Sequence, residues 1–145
     1  MIIPTVAILI FNNDQVLLVR HGRESGHITG IFGLPSGRVE TGEKEIETAI
    51  RELKEETGFI ATEENLVEFP NNYYTALIPR KDGQVKEYGW RVYLCKKYFG
   101  ELKSSNENEV APLWVKINKL ENSNLLPNVE TVIKECLKYR NESSS

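Results

Sequence analysis

The sequence predicts one domain of mixed α and β structure, and three observations carry that expectation. Short β-rich runs bounded by turn residues fill the N-terminal part and recur in the middle of the chain. Twice, near residues 43–57 and 127–139, the apolar spacing switches to a helical period. The 145 residues, 40% apolar and 27% charged, suit a single globular unit. A chain of this length buries about two-thirds of the surface it exposes when unfolded, so it needs no disulfide or structural metal.

Taken in order, Thr5 to Phe11 and Gln15 to Arg20 read as strands joined by the hairpin residues Asn12-Asn13-Asp14. His21 to Gly30 is a polar, glycine-containing loop, and loops of that length in a compact domain are often functional. Ile31 to Leu34 is expected as a short strand, Pro35-Ser36-Gly37 as a turn, and Arg38 to Glu40 as a second extended piece. From about Glu43 to Thr57 a helix is expected, with Ile46, Ala49, Ile50, Leu53 and Thr57 on its buried stripe and Gly58 as a left-handed cap. Strands follow at Leu66 to Phe69, Tyr73 to Ile78 and Val85 to Tyr98, with a turn at Arg80-Lys81-Asp82-Gly83. After a polar loop, Ser104 to Glu109, come a strand at Leu113 to Ile117 and a last helix from Pro127 to Tyr139. Val129, Val132, Ile133, Cys136 and Leu137 share one face of that helix. Residues 1–140 are expected to form the domain and 141–145 a disordered tail.

Composition excludes several classes. Lys and Arg total 18 against 21 Asp and Glu, a net charge of −3, which leaves no basic stripe for nucleic acid. Cys95 and Cys136 are too few and too isolated for a zinc site or redox pair, so buried free thiols in a reduced, cytoplasmic setting are expected. The apolar start is too short to span a bilayer, and it lacks the basic flank and cleavage site of a secretion signal. Acidity is lopsided, because Asp14 and Asp82 are the only aspartates and many glutamates crowd between Glu40 and Glu64.

On the first helix Glu52, Glu55 and Glu56 stand three and four residues apart, so their carboxylates share a face beside the apolar stripe. Like charges at this spacing destabilise a helix by a few tenths of a kcal/mol per pair, and keeping them ionised calls for positive charge. All-oxygen anionic ligation suits a hard cation, Mg²⁺ first and Mn²⁺ second. A solvated acidic helix face is the plain alternative, and the flanking residues decide against it. Gly37, five residues, Glu43, seven residues and then Arg51-Glu52-Leu53-Lys54-Glu55-Glu56-Thr57-Gly58-Phe59 place nine specified residues at fixed spacing across residues 37–59. That segment resembles the signature of the Nudix hydrolase family, and weaker likeness extends over nearly the whole chain. GIFGLPSGR leads into the segment, and Glu107 and Glu109 precede Leu113-Trp114-Val115.

The resemblance implies an α/β/α sandwich with a curved mixed sheet and a divalent-metal-dependent hydrolase acting on a nucleoside diphosphate linked to another group, X. By position, Glu52, Glu55 and Glu56 would hold the metal, joined by the Gly37 carbonyl, and Arg51 would pair with a carboxylate such as Glu52 and orient it. Glu43 would have a structural part at the helix start. The general base is left among Glu52, Glu107 and Glu109, with Glu52 preferred. Two positions depart from the family pattern. Ser36 replaces a glycine, and Lys44 stands where Ser or Thr often caps the helix, which leaves Thr41 or a backbone shift to substitute.

Arg20, Arg38 and Tyr74 are candidate substrate contacts, whereas His21 and His27 lack a partner at ligand spacing and are given no metal role. Tyr73, Tyr88 and Trp90 read as sheet or core aromatics, and Trp114 as a core anchor. Markers of ADP-ribose, NADH and coenzyme A cleavage are missing, so the resemblance is to small MutT-like enzymes that split a nucleoside triphosphate or modified nucleotide into monophosphate and pyrophosphate. A dinucleoside polyphosphate or nucleotide-sugar hydrolase is the alternative, and a non-catalytic nucleotide sensor the competitor from another class. The expected partner is a small nucleotide, with no nucleic acid and no membrane. Many relatives dimerise, which leaves room for a homodimer.

Overall fold

A computed structural model describes residues 1–143 of the chain, with the side chain of Ser143 left out. The strands are β1 (Ile2–Leu9), β2 (Phe11–Asn12), β3 (Gln15–His21), β4 (Phe32–Gly33), β5 (Ser36–Arg38), β6 (Leu66–Val67), β7 (Tyr73–Pro79), β8 (Val85–Cys95) and β9 (Val110–Lys116). The helices are α1 (Glu45–Thr57) and α2 (Val129–Ser143), with short 3₁₀ turns at Glu63–Asn65 and Ile117–Asn122.

β1 carries the plan of the molecule. Its side chains alternate between two faces, as the period of a strand requires. Val6 and Ile8, with Ile10 just past the end of the strand, pack with Ala49, Leu53 and Phe59 on the α1 side. Ala7 and Leu9 pack with Val129, Val132, Ile133 and Cys136 on the α2 side. β3 divides in the same way, Leu17 toward α1 and Val16 and Leu18 toward α2. Strands buried on both faces read as continuous apolar runs, which is how these two read. The expected helix–sheet–helix layering follows. Leu53 is fully buried, and truncating such a leucine to alanine costs about 2–5 kcal/mol.

The pairing forms two sheets. β5, β1, β8 and β6 lie in that order with β7 also on β8; β1 and β8 are parallel and the other pairs antiparallel. β2, β3 and β4 form a second, antiparallel sheet, with β9 on the other edge of β3.

Several boundaries differ from the sequence expectation because a distant strand decides them. β1 starts at Ile2, not Thr5: Ile2 pairs with Glu87, and Pro4 stays in register opposite Gly89. The expected turn at 35–37 is the start of β5, since Ser36, Gly37 and Arg38 pair with Ala7, Val6 and Thr5. β8 ends at Cys95, where Lys96 turns its N–H to the Asn65 carbonyl. The tail expected from Asn141 is helical as far as Ser143, and the Arg140 guanidinium lies 4.7 Å from the centre of the Phe11 ring. Residues 144 and 145 lie outside the described residues. Cys95 and Cys136 are free and buried as expected. Among the described residues no helix is long and apolar enough to cross a membrane.

Candidate active site

α1 begins without the usual side-chain cap. The Lys44 side chain cannot accept a hydrogen bond, and what remains is the reciprocal half of a capping box, the Glu47 carboxylate accepting the Lys44 N–H at 2.8 Å. Glu43, just before the helix, accepts from the buried Thr48 hydroxyl and from Arg51 Nε and Nη2 at 2.8 and 2.9 Å. These bonds, the one from Arg51 foremost, hold the Glu43 carboxyl down at about 2.

Arg51 is the hub of the face. Its Nη1 donates to Glu52 Oε1 at 2.7 Å and stands 3.5 Å from Glu55 Oε2, while Nη2 reaches the Arg38 carbonyl of β5. One guanidinium thus ties the helix start, β5 and two carboxylates together. Five fixed donors make arginine suited to that work. Glu56 is held from the other side by the Ser36 N–H at 2.8 Å. Any residue except proline supplies that donor, so serine in place of the family's glycine leaves the bond intact. Gly37 is different, because a Cβ there would stand 2.0 Å from Cδ of Glu52. The missing side chain is the space the Glu52 carboxylate fills.

The end of α1 brings in the last acid. Gly58, at φ +80°, closes the helix by donating to the Lys54 carbonyl, and Lys103 and Ser105 donate to the carbonyls of Thr57 and Glu55. The 104–109 loop is thereby pinned to the helix end, and Glu109 reaches the cleft lined by Glu52 and Glu56. Burial raises the Glu52 carboxyl to about 7 despite its bond to Arg51, and raises Glu56 well above the usual carboxylate range. The charges of Glu55 and Glu109 push both further up.

The cleft, of about 480 Å³, is also lined by Arg38 and by His21, Ser25, His27, Arg80, Tyr88 and Trp90. His21 Nδ1 lies 2.8 Å from Ser25 Oγ, and burial lowers His21 to about 3 and His27 to about 4. Of the residues singled out from sequence, the structure brings Glu52, Glu56, Gly37, Arg38 and Glu109 to the cleft, while Glu55 lines the adjoining groove with Ser104 and Ser105. Arg51 stands behind the carboxylates. Arg20 is exposed on β3 and lines no part of the cleft, and neither does Glu107. Tyr74 is turned to α2, its hydroxyl donating to Glu135 at 2.8 Å. Trp114 packs with Phe59 and Tyr98 in the α1-side core.

His21, His27, Arg80 and Tyr88 are cleft residues that local sequence pattern does not mark. Arg80 sits in what reads as a plain hairpin turn, and only the contact between that turn and the 22–28 loop brings it in.

The donor set fits a hard cation. Three glutamates and a backbone carbonyl offer oxygen alone, and burial raises two of the carboxyls, Glu52 and Glu56, above the usual carboxylate range, a shift that a cation beside them would oppose. Among the described residues no three His, Cys, Asp or Glu side chains form a ready-made metal cage. Mg²⁺ is ordinarily held by one or two carboxylates together with waters and substrate phosphate rather than by an all-protein cage.

Comparison with known proteins settles the family. The family model described as NUDIX domain matches residues 1–137. The chain belongs to the NUDIX family. Over 142 residues it is 31% identical to an ADP-ribose pyrophosphatase of Methanocaldococcus jannaschii, covering 95% of this chain and 76% of that protein. In fold it is similar to a MutT NUDIX hydrolase from Burkholderia pseudomallei, with a TM-score of 0.75 at 19% identity over 92% of this chain and 97% of that one. It also resembles a bifunctional NMN adenylyltransferase/ADP ribose pyrophosphatase from Francisella tularensis, solved with AMP and a Mn ion. The TM-score there is 0.63 at 21% identity, over 95% of this chain and 42% of that one. The signature segment of this NUDIX domain is the part of the chain that builds the carboxylate wall.

Proposed function

We propose that this NUDIX hydrolase cleaves a phosphoanhydride bond in a nucleoside diphosphate linked to X, using Mg²⁺ or Mn²⁺, and that its substrate is a nucleoside triphosphate or modified nucleotide. The observation that carries the reading is the convergence of Glu52, Glu56 and Glu109 on one cleft that is also lined by cationic and aromatic side chains, Arg38, Arg80, Tyr88 and Trp90. Glu52, Glu55 and Glu56 would hold the cation with the Gly37 carbonyl. When bound, the cation supplies charge neutralisation at the anhydride oxygens and a lower pKa for the attacking water. Arg51 orients Glu52 and Glu55 and keeps their mutual repulsion in check. Glu52, which lines the cleft and is oriented by Arg51, is the preferred base for the attacking water. Glu109 is the second candidate for that proton, because it reaches the cleft and Glu107 does not. The products are a nucleoside monophosphate and pyrophosphate.

An ADP-ribose-type nucleotide sugar is the second reading, favoured by the 31% identity to an ADP-ribose pyrophosphatase. The setting proposed is a reducing cytoplasm, which two free buried thiols support. The unit proposed to carry the activity is residues 1–140.

A nucleotide panel with Mg²⁺, scored by phosphate released after added pyrophosphatase or phosphatase, tests the reading. Turnover should occur and should fall by about 10³-fold or more in Glu55→Gln, with the melting temperature nearly unchanged because Glu55 is half exposed. No turnover on any nucleotide, or turnover indifferent to the substitution, contradicts it in favour of a sensor domain.

A further inference from the structure

The charges around the cleft are segregated. Glu52 and Glu56 both feel Glu55 and Glu109, Glu56 feels Glu52 as well, and Arg51 relieves Glu52. The imidazoles of His21 and His27 lie instead in the positive field of Arg80, joined by Lys81 at His21 and by Arg38 at His27. The cleft therefore has an acidic pole and a basic one.

Arg80 is built into the basic pole. Its Nη1 donates to the Tyr88 hydroxyl, and its Nη2 lies where a Cβ on residue 26 would be, 1.7 Å away. Gly26 lets the Nη2 end of the guanidinium come right up to the loop backbone. The loop and the turn that carries Arg80 are locked together: the Lys81 N–H donates to the Gly26 carbonyl at 3.0 Å, and Lys81 Nζ to the Arg23 carbonyl at 2.7 Å. Among the described residues no carboxylate pairs with Arg80. A cleft-lining arginine fixed by a phenol and left without a counter-ion has spare N–H donors in the fork geometry that phosphate oxygens match. Beside it His27 Nδ1 is buried without a hydrogen-bond partner, a mark that this wall is incomplete.

We infer that Arg80, steadied by Tyr88 and seated on Gly26, is an anion subsite that reads a phosphate on X, so that the cleft prefers substrates in which X ends in phosphate over those in which X is a neutral sugar. The inference rests on the proposed function and narrows it. A nucleoside triphosphate meets the requirement. A nucleoside diphosphate-ribose offers the same anhydride with an uncharged end.

The test is steady-state kinetics of the wild type, Arg80→Met, Arg80→Lys and Tyr88→Phe on a nucleoside triphosphate and the matching nucleoside diphosphate-ribose. Arg80→Met should raise KM for the triphosphate about 10- to 100-fold, the worth of a charge-assisted contact, with kcat within about threefold and KM for the sugar derivative unchanged. Arg80→Lys should recover part of the loss. Tyr88→Phe, which leaves the cation but frees it, should show a smaller rise confined to the triphosphate. Equal changes on both substrates, or none on the triphosphate, overturn the inference. No turnover on any nucleotide of the panel is what fails the proposed function, and in that case calorimetry of inorganic tripolyphosphate in EDTA still reads the subsite. Binding at least tenfold weaker in Arg80→Met supports it, and equal or absent binding overturns it.

Discussion

Glu52 is stable only in company. Its carboxyl is largely withdrawn from solvent, bonded to Arg51 and pushed to about 7, above an ordinary value near 4.5. Between those two values the folded chain holds a proton that the unfolded chain has released, so this group's contribution to stability falls as pH rises from about 4.5 to 7 and stays lost above. A bound divalent cation reverses the balance by favouring the ionised form. Metal-free Glu52→Gln should therefore melt higher than the wild type at pH 8, by roughly 1–3 kcal/mol in stability, with the difference shrinking toward pH 5 and activity lost. Calorimetric melting of both proteins in EDTA at the two pH values measures this. A Glu52→Gln protein less stable at pH 8 contradicts the picture of a strained carboxylate face. The spacing of Glu52, Glu55 and Glu56 was legible in the sequence, because a helix converts spacing directly into a face. The partners of those residues were legible less evenly. Arg51 lies within the same helix, whereas the Ser36 N–H that holds Glu56 comes from twenty residues away.

α1 and β5 work as a pair, and two glycines show it differently. Gly37 leaves room for the Glu52 carboxylate, a flexible group, whereas a Cβ at Gly58 would stand 2.3 Å from the Glu101 carbonyl with φ at +80°. Gly58→Ala should cost about 1–3 kcal/mol of stability through backbone strain. Gly37→Ala should leave the melting temperature within a few degrees and lower kcat by about 100-fold by displacing Glu52. Thermal melts and kcat of the two variants, measured together, separate the roles; a Gly37→Ala enzyme of wild-type activity contradicts the assignment. Element boundaries follow the same division between local and distant causes. The helical stripe and its glycine stop are written in adjacent residues and emerge as expected. β5 reads as a turn, because Pro35-Ser36-Gly37 has turn chemistry locally and becomes a strand only by pairing with β1. The 3₁₀ turn at Ile117–Asn122 likewise has no periodic signal of its own.

Two sheets and two helices place the cleft where several chain segments meet. Thr5 of β1, His21 of β3, Arg38 of β5, Tyr88 and Trp90 of β8 and Glu109 before β9 all line it. The acidic pole comes from one continuous segment and was readable as a motif. The basic pole is assembled from Arg38 of β5, a loop and a hairpin turn far apart in sequence, so no spacing rule announces it, and Arg20 and Tyr74, plausible by composition, face elsewhere. The proposed activity depends on the carboxylate face of α1 holding a divalent cation against the diphosphate of a nucleotide. Calorimetry of Mn²⁺ binding in the presence of α,β-methylene-ATP tests this most directly, comparing wild type with Glu56→Gln. Wild type should bind Mn²⁺ and the variant at least tenfold more weakly; equal binding by the two, or none by the wild type, would contradict it.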